Sequence, residues 1–203
     1  HWLGNSHYKE IGVKIIGSSE FATLPILEKT RMQKRISKEA YAKTTQTIPD
    51  VFVEDEKVLD FNGKKVYIRS VNHKAHTKSD LLVYVPSEKI VFVGDLVFNG
   101  RLPSLRDGDV NGWLKALERI KSMDVEHIVG GHGTIVSKES VDFTYNYLMT
   151  LKTEVSALME EGDDIGDVVN KVEMLEYKDV NFYDAMHRQN VEQTYRMLEW
   201  ANE

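Results

Sequence analysis

Ile90-Val91-Phe92-Val93-Gly94-Asp95-Leu96 is the stretch from which the rest of this chain is read. Four apolar residues form a run of the length and composition of a buried strand, and a glycine followed by an acidic residue ends it. An ionised carboxylate at the end of a buried strand is costly unless it is paired or coordinates cations. With its two oxygens, one carboxylate can bridge two cations held about 3.5–4 Å apart. Two other segments bring histidine to strand-like runs. Ala75-His76-Thr77-Lys78-Ser79-Asp80 precedes a β-rich run, with Thr77 and Asp80 placed to cap the turn, and His127-Ile128-Val129 leads into Gly130-Gly131-His132-Gly133. A histidine bound to zinc at about 2.0–2.1 Å needs a fixed backbone, and glycine neighbours let the chain turn sharply and come close. The order His, Asp, His suits a two-metal hydrolase.

Outward from this stretch, consecutive antiparallel strands are expected over 57–61, 65–70, 81–86 and 90–93. They are separated by Asn62-Gly63, a hairpin-type turn, and by Pro86-Ser87-Glu88. Upstream, 13–17 reads as a short strand, and Pro25 suits the first turn of a helix reaching about residue 42. Downstream, Asp109 caps a helix through about Met123, with Trp113, Leu117 and Ile120 on one face. A last strand over 127–129 delivers His132, a long helix runs from 137 or 138 to about 161, and 164–172 and 184–201 are helical. The class is α/β. Tyr84, Trp113, Tyr145 and Tyr147 read as core and interhelix packing.

At 203 residues, with 41% hydrophobic and 29% charged, the chain can bury a sizeable core as one domain or as part of a larger one. Its net charge of −6 argues against nucleic-acid and anionic-membrane partners, because counterion release needs clustered Lys and Arg. A small-molecule substrate fits better. There is no cysteine, so a transition-metal site must be built from imidazole and carboxylate. No run of about 18 apolar residues is present. The chain begins on His1, without an initiator Met.

The residues by themselves leave plainer roles open. Asp95 suits a cap or turn, His132 a structural turn, and His76 an exposed loop beside His73, Lys74 and Lys78. His1, at a terminus, suits disorder. His7, His127 and His187 read as solvated or helix-face histidines, and Asp107 and Asp109 as a loop turn and a cap. A simple α+β binding module remains a further reading.

The stretch from Ala75 to Val136 resembles the later motifs of the metallo-β-lactamase superfamily. Leu96-Val97-Phe98-Asn99-Gly100-Arg101-Leu102-Pro103, then Asp107-Gly108-Asp109 and Trp113-Leu114-Lys115-Ala116-Leu117, are similar to its quinoprotein-relay-type, glyoxalase II-like branch; Lys78-Ser79 stand where relatives commonly have Pro-Gly. The resemblance implies a four-layer αβ/βα sandwich with its site along one edge between the sheets. This chain would carry mainly the C-terminal half, with 1–136 as the remaining sandwich portion and 137–203 as a helical C-terminal region. His1, followed by Trp2-Leu3-Gly4-Asn5, resembles the last histidine of a His-x-His-x-Asp-His segment, whose first part would lie upstream.

By the same resemblance the metal ligands are His1, His76, Asp95 and His132, four of seven positions, for two zinc ions in the complete protein. His1 and His132 would serve one metal, His76 the other, and Asp95 would lie between them. The implied activity is hydrolysis of an ester, thioester or related substrate by metal-activated hydroxide, with this chain alone inactive. An exported, periplasmic location is compatible with it, a cytoplasmic one otherwise. The competing expectation is a non-catalytic fragment or assembly subunit. Half a sandwich leaves a sheet face uncovered, which predicts a homo-oligomer or segment exchange through that face.

Overall fold

In the computed structural model, residues 4–23, 36–45 and 47–201 are described. The first elements are short: α1 (Asn5–Glu10), β1 (Ile16–Ser18), α2 (Lys38–Lys43) and β2 (Val51–Val53). β1 and β2 pair in parallel as a small sheet of their own. The strand expected over 13–17 thus begins later, where a parallel partner exists. Most of the helix expected from Pro25 lies outside the described residues; within them, Ser37 caps α2 by accepting the Ala40 N–H at 3.1 Å.

The β-rich runs form one five-stranded sheet in spatial order β3 (Glu56–Phe61), β4 (Lys64–Ser70), β5 (Leu81–Val85), β6 (Ile90–Phe98) and β7 (His127–His132). β3 to β6 meander antiparallel, as the turn signals require. Asn62 and Gly63, at φ 55° and 88°, supply the two left-handed positions of a tight hairpin. β7 returns parallel to β6, after the crossover helix α3 (Val110–Ser122). β4 and β6 therefore run the same way as β7. The loop leaving β4 and the ends of β6 and β7 all emerge at one edge, which carries the three segments singled out above.

Helices cover one face of this sheet. α3 buries Val110, Trp113, Leu114, Leu117 and Ile120, and α4 (Val141–Glu161) buries Val141, Tyr147, Leu148, Leu151 and Val155. Both pack on β6, against the inward Val91 and Val93. Each such side chain stabilises by about 1.5–3 kcal/mol. α5 (Ile165–Lys171) and α6 (Tyr183–Ala201) close over α4. On the other face, Ile68, Val83, Phe92 and Val129 lie in one cross-strand row, and Phe92 is 42% exposed.

β6 is not paired along its whole length. Between the pairs Phe92–Val129 and Phe98–His132 it spends three more residues than β7, so it arches away from the ladder. Backbone groups freed by the arch find side chains instead. Trp113 Nε1 donates to Leu96 O at 2.8 Å, the Phe98 N–H donates to Thr144 Oγ1 at 3.0 Å, and that hydroxyl donates to Phe98 O at 3.1 Å.

The C-terminal helices carry a buried polar stripe of His187, Asn190 and Thr194. His187, expected as a solvated or helix-face residue, is in fact buried. Its Nε2–H donates to Val172 O at 3.0 Å, so Nδ1 accepts from the Tyr147 hydroxyl at 3.2 Å. Asn190 donates to Tyr147 Oη and to Pro103 O, both at 2.9 Å, and accepts the Leu105 N–H at 2.9 Å. Burial holds the His187 pKa below its usual value, against the opposing pulls of the Val172 carbonyl and Glu176.

Two outcomes are expected. Thr144→Val leaves both Phe98 backbone groups without their partner and should cost about 1–3 kcal/mol in chemical denaturation, while Thr144→Ser keeps most of the stability. Because His187 is harder to protonate folded than unfolded, its contribution is present above about pH 6.5 and fades as pH falls from there through the depressed folded value. Thermal midpoints of the parent should therefore drop more steeply from pH 7 to pH 5 than those of His187→Gln; parallel slopes would refute this.

Candidate metal centre

The arch of β6 sets the position of Asp95. Its carboxylate, 12% exposed, lies over the backbone of Gly131 in β7. A Cβ at residue 131 would fall 1.8 Å from Asp95 Oδ1, so only glycine leaves room for this carboxylate. Two residues on, Gly133 takes φ +95°, and a Cβ there would fall 2.5 Å from Asn99 O. This turn ends β7 immediately after His132 and explains why the imidazole is flanked by glycine.

His76 reaches the same place from the loop between β4 and β5. Thr77 N–H donates to Asp80 Oδ2 at 2.8 Å and Thr77 Oγ1 to Asp80 Oδ1 at 2.7 Å, the capped turn that the sequence suggested. The loop is also tied to the start of α3. Asp109 N–H donates to Ala75 O at 2.7 Å, His73 Nε2 donates to Gly112 O at 3.0 Å, and Asp109 Oδ1 accepts the Gly112 N–H at 2.8 Å as helix cap. Trp113 packs its edge on the His76 ring at 4.9 Å. Phe98 lies between the two imidazoles, stacked on His132 at 5.3 Å and 6.0 Å from His76.

The two imidazoles approach opposite oxygens of one carboxylate. His76 Nε2 is 3.5 Å from Asp95 Oδ2, and His132 Nε2 is 3.6 Å from Asp95 Oδ1. These gaps are long for hydrogen bonds. They match the separation of roughly 3.4–3.6 Å between a nitrogen and an oxygen that share a zinc ion at tetrahedral or slightly wider angles. Burial lowers the pKa of His76, outweighing the attraction of Asp80, Asp95 and Asp107, and so favours the neutral ring with a free lone pair. Burial likewise raises that of Asp80, opposed by the Thr77 hydrogen bonds and His76. The other His76 nitrogen, Nδ1, is buried without a hydrogen-bond partner, an orphan atom of the kind that calls for a missing ligand or water.

Among the described residues, no three His, Asp or Glu side chains form a metal-holding group. What exists is two half-sites, each one imidazole and one oxygen of the shared Asp95. Donor type and spacing fit borderline divalent cations, with further donors required for each.

Of the residues singled out from sequence, His76, Asp95 and His132 thus meet at one edge, and His1 lies outside the described residues. Asp109 is the helix cap, as read. Trp113 is core, as read, but also holds the arch and touches His76. Thr144 and Asn190 were not foreseen; the available signal was a polar residue recurring on the buried stripe of an amphipathic helix.

The profile of the metallo-beta-lactamase superfamily matches residues 1–132. This chain belongs to the metallo-beta-lactamase superfamily. A hydroxyacylglutathione hydrolase of Prochlorococcus marinus (strain MIT 9301) is 31% identical over 110 residues, covering 53% of this chain and 43% of that protein. A beta-lactamase-like protein 2 homolog of Caenorhabditis elegans is 26% identical over 101 residues, covering 48% and 34%. The chain therefore spans less than half the length of these curated relatives. Among solved structures, a metallo-beta-lactamase from Pontibacter korlensis superposes with TM-score 0.57 at 22% identity, over 73% of this chain and 66% of that one. The stereoselective inverting sec-alkylsulfatase Pisa1 from Pseudomonas sp. superposes with TM-score 0.71 at 17% identity, over 97% of this chain and 39% of that one. The α/β fold is that of the superfamily, and the second superposition takes in nearly the whole chain.

Gly131→Ala should destabilise this metallo-beta-lactamase fold by about 1–3 kcal/mol through overlap with Asp95. Adding Asp95→Ala should restore part of the loss, so that urea denaturation of the double variant is less than additive; strict additivity would place the strain elsewhere.

Proposed function

We propose that this chain supplies one side of a dinuclear metal centre that hydrolyses an ester, thioester or related small molecule. The observation that carries the reading is the spacing of His76 and His132 on opposite oxygens of Asp95, at 3.5 and 3.6 Å. The hydroxyacylglutathione hydrolase relatives support a thioester as the first substrate to try. In this reading Asp95 lends one oxygen to each cation, His76 serves the first and His132 the second, and the remaining donors come from polypeptide outside the described residues, His1 included. Bound there, zinc ions would lower the pKa of a water and stabilise negative charge developing on the scissile group.

The chain's own residues do the rest. Neutral His76 presents a lone pair, and Thr77 and Asp80 fix its loop. Phe98 and Trp113 wall the rings with apolar surface that keeps bulk water from that side. Asn190 fixes the segment that follows β6 through Pro103 O and the Leu105 N–H.

A second reading, an assembly subunit that joins other polypeptide through the open sheet face, is favoured by the exposure of Phe92 within its apolar row. Metal content separates the two. About two equivalents of zinc and metal-dependent thioester hydrolysis support the enzyme; none, with self-association in sedimentation that Phe92→Ser abolishes, supports the subunit. In a chain that binds zinc, Asp95→Asn or His132→Ala should lower hydrolysis at least about 100-fold, in keeping with losses of several kcal/mol when a charged or ligating group is removed. Unchanged turnover in either variant would overturn the assignment.

A further inference from the structure

The loop that carries His76 rests on the start of α3 residue by residue. His73 Nε2 donates to Gly112 O at 3.0 Å, Ala75 O accepts the Asp109 N–H at 2.7 Å, and the His76 ring meets the Trp113 ring edge-on at 4.9 Å. Because a carbonyl can only accept, the His73 proton sits on Nε2. A Cβ at residue 112 would fall 1.9 Å from Lys74 O and 3.0 Å from His73 Cδ2, so only glycine lets the loop lie this close to the helix. Ala75, at the centre of the contact, is fully buried.

The loop's other bonds are internal. The Val71 N–H donates to Asp80 O at 3.1 Å and closes its base, and the Thr77 and Asp80 hydrogen bonds close its tip. Bonds of this kind fix the shape of a turn but not its distance from Asp95. That distance is set by the attachment to α3, which reaches across 39 residues of sequence.

His132 is held by other means. It ends β7 opposite Phe98, its carbonyl accepts the Asn99 N–H at 3.3 Å, and Asn99 Nδ2 donates to Thr134 Oγ1 at 3.0 Å. The two imidazoles that face Asp95 therefore have separate supports, one on a helix and one in the sheet.

We propose that His73 is a positioning residue whose hydrogen bond to Gly112 O fixes where His76 Nε2 meets Asp95, and so governs the His76 half-site independently of the His132 half-site. This rests on the hydrolase reading for its consequence but not for its test. Packing alone lets a loop slide, whereas a directional hydrogen bond sets both distance and angle. Groups outside the ligand set that orient a ligand commonly change metal affinity by about 10–100-fold.

The test compares the full chain with His73→Phe, which keeps a ring and loses the donor, and with His73→Gln, whose side-chain Nε2 can reach the same carbonyl. Proton NMR in EDTA reads the His76 and His132 ring signals, assigned by their loss in His76→Gln and His132→Gln, with the buried His187 signal as the mark of a folded chain. His73→Phe should move the His76 signal from the position the Trp113 ring gives it and leave that of His132 in place, while His73→Gln keeps both. Zinc titration followed on the same signals should show the His76 half-site weakened about tenfold or more in His73→Phe, with the His132 half-site unchanged and His73→Gln like the parent. If His73→Phe loses the His187 signal, the same readings on His73→Leu decide. An undisturbed His76 signal in the variant without a donor, equal displacement of both imidazoles, unchanged zinc affinity at a displaced His76, or a Gln variant that behaves like Phe would overturn the proposal. Displacement of His76 alone in a chain that takes up no zinc would sustain the positioning role and sink the hydrolase reading; zinc-dependent hydrolysis with His76 undisturbed in His73→Phe would do the reverse.

Discussion

The arch in β6 is the constraint on which the rest of the molecule depends. A strand that leaves its ladder must find new partners for its N–H and C=O groups, and here they come from two helices: Trp113 of α3 takes the Leu96 carbonyl, and Thr144 of α4 takes both groups of Phe98. The packing of α3 and α4 on the sheet is thus inseparable from the arch. In return, the arch carries the Asp95 carboxylate over the backbone of Gly131, where a side chain would collide with it.

From that position the chemistry follows by charge. Asp95 is largely withdrawn from water, with an imidazole facing each oxygen, and burial favours the neutral form of His76. Two imidazole nitrogens and the two oxygens of one carboxylate, gathered at one edge, are donor types that borderline divalent cations take. That convergence is the physical basis for reading the edge as a metal centre.

The C-terminal helices belong to this arrangement. Asn190, at the centre of α6, bonds Pro103 and Leu105 in the segment that follows β6 and ties them to Tyr147 and, through it, to His187. A buried network of this kind is stabilising only when every member is satisfied, and it fixes a loop beside the site to helices distant in sequence. The superposition on the sec-alkylsulfatase Pisa1 takes in 97% of the chain and so these helices, whereas the family profile ends at residue 132.

Local signals determined much of this protein. The Asn62-Gly63 turn, the alternating runs that make β3 to β6, the Asp109 cap and the apolar stripes of α3 and α4 depend on neighbours within a few residues, so a single sequence displays them. His76, Asp95 and His132 stood out because strand ends and flanking glycines are also local features. The tertiary structure alone decided that three further residues in β6 would form an arch, since a register shift exists only relative to β7. It alone decided that His187 would be buried and that Thr144 and Asn190 would satisfy backbone 46 and 85 residues away. Partners so far apart in sequence leave no periodicity to read; their contact is set by how the helices close over the sheet.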